Sequence, residues 1–351
     1  MVKKYVCIKL FNRKEKNLER GYMKTLKSLF ILFIALSLSA CATTPKVDLE
    51  TREVVSITDA ISTREVKTNP SRVAIFNYDI LDILDTVGLE AAGIDLLGVP
   101  QANLPASLSE YGAEPYKNVG TLFEASLDDL DLFDPELIII GGRSATLYET
   151  LKEAYPNADF LDVTLPNSDL SEGLTQNVTN LATIFPGIAD KLNQNLELIL
   201  GAFDEIKTKT VDTNAMFLLV NANAISYYGP AGRYKMIYDE FGYGASDTNT
   251  EEGGSHGKQV SFEYVLETNP DILFLMDRGA SVGNEATLDD VLANELIQQT
   301  NAAKNGQVYE LDASAWYLTS GGLKASLQMI VDINQYLETI GKRINVPTLV
   351  E

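Results

Sequence analysis

The stretch Gly253-Gly254-Ser255-His256-Gly257-Lys258-Gln259-Val260-Ser261-Phe262-Glu263, running on to Asn269-Pro270-Asp271-Ile272-Leu273-Phe274-Leu275-Met276-Asp277-Arg278, decides the fold. It reads as a glycine loop, a short helix with apolar Phe262, Val265 and Leu266, a proline, and an apolar strand that ends on a charged Asp-Arg pair. It also holds the chain's only histidine. An earlier segment, from Gly120-Thr121-Leu122-Phe123 through Asp134-Pro135-Glu136-Leu137-Ile138-Ile139-Ile140 to Arg143, follows the same plan. Asp128 and Glu263, Pro135 and Pro270, and Arg143 and Arg278 are each 135 residues apart.

A repeat of that period is too long for a solenoid and has the size of a small domain, so it predicts two similar lobes. If both strands lie in parallel sheets, ligands gather beyond their carboxyl ends, where Arg143 and Arg278 fall. Two such lobes face to face make a cationic cleft. Taken singly, each arginine is more simply a surface residue that closes an ordinary βα loop; the matched offset is what weakens that account.

The 351 residues, 45% hydrophobic and 22% charged, are enough for two domains with real cores. A formal net charge of −21 argues against nucleic acid and against a basic face for anionic lipid. Any anionic ligand must therefore be met by locally placed arginines. One histidine and two distant cysteines exclude a His-rich copper or zinc site and a zinc cluster.

At the N-terminus, Met23-Lys24-Thr25-Leu26-Lys27 precedes an apolar run, Ser28 to Leu38, that is too short for a comfortable membrane span. The ending Leu38-Ser39-Ala40-Cys41 resembles the bacterial lipobox, which implies a signal peptide over 23–40, cleavage before Cys41 and a lipid on that thiol. Residues 1–22 sit oddly ahead of a complete signal. Glu19-Arg20-Gly21 can be encoded by a purine-rich ribosome-binding sequence, so translation is expected to start at Met23. Removing 1–40 takes nine Lys/Arg from 28 and two Asp/Glu from 49, for a net charge of −28. The part that remains keeps only the modified cysteine, so no intrachain disulfide is possible.

Residues 41–53 read as a tether. The first lobe is expected over 54–185: a hairpin from Val54 to Lys67, a buried strand from Arg72 to Asn77, and a helix on Ile80, Leu81, Leu84 and Val87 that stops at Gly88. Strands at Leu97 to Val99, Leu137 to Ile140 and Phe160 to Val163 alternate with helical patterns. A long helix follows over 186–208, with Ile188, Leu192, Leu196, Ile199, Phe203 and Ile206 at steps of three and four. Pro186 suits its first turn. At 1.5 Å per residue it is roughly 35 Å long, a strut that permits only small motion between lobes. The second lobe, 209–341, carries strands at Met216 to Asn221, Ile272 to Met276 and Val308 to Leu311 and a final helix from Ser320 to Ile340, before a tail over 342–351. The fold class is thus α/β: two Rossmann-like lobes joined by a single long α-helix, with the ligand cleft between them.

From about Ile57 to Leu337 the chain resembles the helix-strutted substrate-binding lipoproteins of bacterial ABC importers, in their iron-siderophore branch. The motifs that carry the resemblance lie mostly in the second lobe: Tyr228-Gly229-Pro230-Ala231-Gly232-Arg233, Gly254-Ser255-His256-Gly257-Lys258, Val260-Ser261-Phe262-Glu263, Asn269-Pro270-Asp271, Met276-Asp277-Arg278 and Trp316-Tyr317-Leu318-Thr319-Ser320-Gly321. In the first lobe it rests on Ile138-Ile139-Ile140-Gly141-Gly142-Arg143. The resemblance implies a ferric siderophore as transported ligand, permease subunits as partners, an extracytoplasmic, lipid-anchored and monomeric protein, no intrinsic cofactor and no catalysis.

Iron(III) is a hard cation, and a bis-catecholate complex leaves a net negative charge with two open coordination positions. A trivalent metal can draw the proton from a phenol that titrates near 10 when free, and a neutral imidazole is a second filler. On the residues alone, His256 as an exposed loop residue and Tyr317 as a packed aromatic beside Trp316 is the simpler account. The resemblance implies instead that His256 and Tyr317 ligate the iron, while Arg143, Arg233 and Arg278 pair the catecholate oxygens with forked donors that lysine cannot match. Arg233 reads as opening a helix that contains Met236, Ile237 and Phe241, where a cation opposes the macrodipole unless an anion is present. Lys258 is a fainter siderophore-binding candidate, more simply a solvated loop lysine. Asp128 and Glu263 fall early in their helices, where negative charge already suits the dipole. By resemblance they dock onto the permease, Asp128 replacing the usual longer glutamate.

Other classes remain. Gly253-Gly254-Ser255-His256-Gly257 satisfies the Gly-x-Ser-x-Gly nucleophile elbow, which would make Ser255 the nucleophile of a hydrolase. The stretch before it is polar and acidic rather than a strand, and the chain has no second histidine to serve as base. Within binding proteins, a haem, hydroxamate-siderophore or cobalamin carrier shares the fold. Haem would also suit a Tyr/His pair; cobalamin leaves the arginines with little to do. A surface adhesin with a vestigial cleft would not need these Arg, His and Tyr motifs.

Overall fold

The structure is a computed structural model, and it describes residues 52–164, 169–222, 224–247, 257–282 and 288–351. The chain divides into two units, 1–52 and 53–351. The expected signal peptide, the lipid site Cys41, Ser255 and His256 lie outside the described residues. Among the described residues no helix is long and apolar enough to cross a membrane.

The N-terminal half opens with the hairpin β1 (Val54–Thr58) and β2 (Thr63–Lys67). It continues through β3 (Arg72–Ile75), α1 (Tyr78–Val87), β4 (Leu96–Val99), β5 (Lys117–Asn118), α2 (Leu127–Phe133), β6 (Leu137–Ile140), α3 (Tyr148–Ala154), β7 (Asp159–Asp162) and α4 (Leu170–Ile184). Strands β3 to β7 form one parallel sheet in the order β5-β4-β3-β6-β7. The chain leaves β3 in one direction to β4 and β5 and returns to its other side with β6. That reversal makes the carboxyl ends of β3 and β6 the place for a ligand. Near-continuous apolar runs such as Ile138, Ile139 and Ile140, all fully buried, are what a parallel strand covered on both faces requires.

A 3-10 turn, Pro186–Ile188, leads into α5 (Ala189–Thr210), whose 22 residues span about 33 Å. The C-terminal half follows with β8 (Asn214–Asn221), β9 (Ala224–Tyr228), α6 (Met236–Asp239), β10 (Gly244–Ala245), β11 (Lys258–Val260), α7 (Phe262–Thr268), β12 (Ile272–Asp277) and α8 (Arg278–Ser281). It closes with α9 (Leu288–Leu292), α10 (Glu295–Gln298), α11 (Asn301–Lys304), β13 (Val308–Glu310), α12 (Ala313–Tyr317) and α13 (Leu323–Thr339). Here the sheet order is β11-β9-β8-β12-β13, with β10 on β8. Strands β8, β12 and β13 are parallel, but β8-β9 and β9-β11 are antiparallel. The sheet is therefore mixed, not the parallel sheet supposed from the repeat. The added strand β11 occupies Lys258–Val260, where the sequence predicts the run from a glycine loop into a helix.

The repeat itself is visible in detail. Helices α2 and α7 have seven residues each, follow Ser126 and Ser261, and end on left-handed Asp134 and Asn269. Strands β6 and β12 then begin at Leu137 and Ile272, again 135 apart.

The halves are not independent cores. One cluster of buried side chains runs from Val73, Ile80 and Leu84 through Leu192, Ile199 and Phe203 to Phe217, Trp316 and Met329. Helix α13 adds a polar strap to the apolar one. Asp82 of α1 accepts the Lys324 backbone N–H at 2.8 Å, and the Lys324 ammonium pairs with Asp85. This offsets the absence of a side-chain cap at Gly322, since the helix's first donors have no partners within the helix itself. Residues 342–351, expected as a tail, are tied down as well: buried Asn195 of α5 exchanges two hydrogen bonds with the Val350 backbone, at 2.9 and 2.7 Å.

Candidate functional site

A cleft of about 1020 Å³ lies between the halves. From the N-terminal half come Asn77 and Asp79 after β3 and Arg143 after β6; from the C-terminal half come Asn221 at the end of β8, Gln259 on β11, and Arg278 after β12. Both sheets thus meet the cleft with their carboxyl ends.

Arg143 is placed by the joint between β3 and β6. The Ser144 hydroxyl donates to the Phe76 carbonyl at 2.7 Å and accepts from the Gly141 N–H at 3.0 Å, locking the two strand ends together. Asn77 caps α1 by accepting from the Ile80 N–H at 3.0 Å.

Tyr317 ends α12, and its position is set by its neighbours. Trp316 is fully buried, packed in tilted contact with Phe217 and Phe241, and its indole N–H donates to Asp332 at 2.7 Å. The same carboxylate accepts from the Asp312 N–H at 2.8 Å. Asp312 caps α12 through the Ala315 N–H. With that anchor behind it, the Tyr317 ring stands in the cleft.

Three guanidinium groups converge on this residue. Arg143 and Arg233 each donate to the Tyr317 carbonyl, at 2.7 and 2.8 Å, and Arg278 donates through Nε to the phenol oxygen at 2.9 Å. Their carbons lie 4.8, 4.7 and 5.5 Å from the ring centroid. Burial works to raise the phenol's pKa, but the Arg278 hydrogen bond and the charges of Arg278 and Arg143 outweigh it, and the pKa is lowered. Five donors on each guanidinium leave most of the triad's capacity for another anion. Arg278 also reaches Asn221 at 3.2 Å.

The cleft also holds an acid that the sequence pattern does not mark. Asp79, in the first turn of α1, has its pKa raised by burial; the Gly321 N–H, the charges of Arg143 and Arg233 and the Asn77 side chain all oppose this. Its only sequence cue was its place two residues after the helix cap Asn77. Gln259 and Asn221 were missed because a strand edge and a strand end gave no cue before the topology was known.

Two expectations need correction. Lys258 does not line the cleft: on β11 side chains alternate between faces, and Gln259 takes the inward position. The Lys258 ammonium instead lies 5.7 Å from the Tyr264 ring. Arg233 does not open a helix. It sits in the turn after Gly229-Pro230-Ala231-Gly232, closed by Gly232 N–H to Gly229 carbonyl at 2.9 Å, and α6 begins only at Met236. The macrodipole argument therefore does not apply to it, while its place in the cleft does not depend on that argument.

Asp128 and Glu263 occupy equivalent, exposed places in α2 and α7, away from the cleft lining. The Glu263 carboxyl is held below its usual range by its own backbone N–H and by Ser261. Gly257, next in sequence to His256, has φ +69° and packs on Tyr228, a cleft-lining ring; a Cβ there would stand 2.6 Å from that ring.

Two α/β lobes, a helical strut and a polar cleft between strand ends define a two-lobed ligand-binding protein. The chain belongs to the periplasmic binding protein family, which it matches over residues 73–315. It is 32% identical over 324 residues to the petrobactin-binding protein YclQ of Bacillus subtilis (strain 168), across 90% of this chain and 100% of YclQ. To the ferric-anguibactin-binding protein FatB of Vibrio anguillarum it is 29% identical over 276 residues, 76% of this chain and 82% of FatB. The solved structure of YclQ superposes with a TM-score of 0.74 at 31% identity, covering 82% of this chain and 99% of that one. That of the periplasmic catecholate-siderophore binding protein VctP from Vibrio cholerae superposes with a TM-score of 0.72 at 27% identity, covering 81% and 100%. These relatives are binding proteins, not enzymes, and the hydrolase alternative through Ser255 finds no support in them.

Proposed function

We propose that this protein captures an anionic ferric catecholate chelate outside the cytoplasm and delivers it to the permease subunits of an ABC importer. One observation carries the reading: three guanidinium groups, one from the N-terminal half and two from the C-terminal half, surround a single tyrosine, and two of them, Arg278 and Arg143, lower its pKa. A cation cluster built around a phenol suits an oxygen-rich, negatively charged metal complex better than a neutral ligand. The named ligands of the relatives, petrobactin for YclQ, ferric anguibactin for FatB and catecholate siderophores for VctP, agree with it.

In this reading the Tyr317 phenolate and the His256 imidazole fill the two coordination positions that a bis-catecholate leaves open. Arg143, Arg233 and Arg278 then pair with catecholate oxygens. Lipidation of Cys41 tethers the protein to the membrane, and Asp128 and Glu263 present one carboxylate from each half to the permease. No resident cofactor is required, since the iron arrives with its chelator.

The test is a fluorescence titration of the full chain against ferric catecholate, ferric hydroxamate and haem. The ferric bis-catecholate is expected to quench Trp316 and to show a charge-transfer band that Tyr317→Phe alters. An unchanged band in that variant removes phenolate ligation; tighter binding of haem or hydroxamate replaces the ligand class.

A further inference from the structure

The walls of the cleft are unequal in one respect that the arginine cluster does not explain. Apart from Tyr317 at the arginine cluster, the large apolar side chains Phe76, Tyr228, Leu219, Leu318 and Leu122 of the cleft are all buried, none more than 9% exposed, whereas Phe123 is 69% exposed. Nearly all the accessible apolar surface among these groups therefore belongs to one phenyl ring, contributed by the N-terminal half to the cleft that the arginines also line.

That ring is presented by a braced turn. The Thr121 hydroxyl accepts from the Phe123 and Glu124 N–H groups at 3.1 and 3.0 Å, and the Thr121 N–H donates to the Glu124 carbonyl at 2.7 Å. The Ser126 N–H closes the base of the turn on the Val119 carbonyl at 2.9 Å. Gly120 has φ +113°, and a Cβ there would stand 2.4 Å from the Glu124 carbonyl oxygen, so the turn closes only on glycine. Leu122 points inward as the anchor, leaving its neighbour outward.

We propose that Phe123 contacts the bound chelate, its face against an aryl ring, and so selects aryl-bearing ferric chelates over aliphatic ones. The proposal rests on the reading of the cleft as a ferric chelate site. In such a complex the oxygens turn inward to the metal and toward the arginines, and the ring carbons turn outward. An exposed apolar ring lining the same cleft gives those carbons a partner, and an aromatic face suits an aryl ring better than an aliphatic side chain does. Because the turn is already braced, little ordering is needed when the ligand arrives.

The experiment measures the affinity of the full chain for a ferric bis-catecholate, alongside the melting temperature of the free protein. Phe123→Ala is expected to weaken binding roughly tenfold, with the free protein's melting temperature unchanged because the ring is exposed. Phe123→Trp should keep most of the affinity and Phe123→Leu little of it. Full affinity in Phe123→Ala, full rescue by Phe123→Leu, or a loss matched by a lower melting temperature of the free protein would each overturn the proposal. Unchanged binding with slower uptake in cells would assign the ring to the importer instead, and also overturns it. Should the wild-type chain bind no ferric catecholate, the ligand reading itself fails; should it bind while Phe123→Ala behaves as wild type, only this inference does.

Discussion

The two halves are built from one module, yet only one of them is an orthodox copy. In the N-terminal half the strand after the module sits in an all-parallel sheet, and the module contributes a single arginine to the cleft. In the C-terminal half the same module meets an antiparallel hairpin, β8-β9, and an added edge strand, β11. That departure brings Gln259 to the cleft, while Arg233 in the turn after β9 and Tyr317 from α12 gather beside the module's own Arg278. The module supplies a common frame of helix, turn and strand, and the irregular additions supply chemistry. In the proposed reading the C-terminal half therefore provides most of the ligand's polar partners, and the N-terminal half adds Arg143 and Phe123.

If that division of labour is right, equivalent arginines should not be equal in effect. Arg278→Ala loses an anion partner and the donor to the Tyr317 phenol together, so it should cost about 3 kcal/mol of affinity for a ferric bis-catecholate, at the top of the range for hydrogen bonds to charged groups. Arg143→Ala leaves the phenol contact in place and should cost about 1.5 kcal/mol. Isothermal titration of both variants decides it, and equal losses would end the distinction. A phenolate absorbance titration sharpens it: Arg278→Ala should return the Tyr317 pKa upward further than Arg143→Ala does, in keeping with the order of their influences on that group.

A second asymmetry lies in how the halves are held. Asp82 of α1 serves as a cap for α13, and burial pushes its carboxyl up to about 8, against the backbone donors of Lys324 and Ala325 and the Lys324 charge, with Asp79 adding to the rise. The folded chain therefore keeps a proton that the unfolded chain releases between pH ~4 and ~8. The stability this group contributes is greatest below that window and falls as pH rises through it. Asp82→Asn cannot ionise, and its carbonyl can still accept from the Lys324 N–H. It should stabilise the protein by about 2 kcal/mol at pH ~9 and much less at pH ~5. Thermal unfolding at the two pH values checks this, and an equal shift at both would show that the carboxyl does not titrate in the fold.

Much of the frame could be read from the sequence, for a physical reason. Buried parallel strands such as Leu137–Ile140 and Ile272–Asp277 must be apolar throughout, and a 22-residue strut must repeat its apolar contacts every three or four residues. Those periodicities are local. What was not legible depends on partners far away in the chain. Asp82 finds Lys324 across 242 residues, Asn195 finds Val350 across 155, and Asp79 meets Gly321. The arginines were found because a repeat and motif resemblance pointed at them. Gln259 and Phe123 lie inside the two repeated segments with nothing local to mark them.

The smallest effect tests the edge strand, where sequence and structure disagree. Adjacent residues on β11 point to opposite faces, so the neutral Gln259 should matter and the cationic Lys258 should not. Removing Gln259 by substitution with Ala should weaken chelate binding by about 0.5 to 1 kcal/mol, the scale of one neutral hydrogen bond. Lys258→Ala should change affinity by less than ~0.3 kcal/mol, because its ammonium is engaged over Tyr264 on the far side of the strand. Long-range attraction is the competing account, since any cation near the cleft draws an anion at low ionic strength. Repeating the titration at high salt separates the two: a through-space contribution from Lys258 would fade as the Debye length shortens, whereas the Gln259 contact would persist. A larger loss for Lys258→Ala than for Gln259→Ala at high salt would mean that β11 is turned the other way in the bound protein, and that the C-terminal half rearranges its edge when the ligand enters.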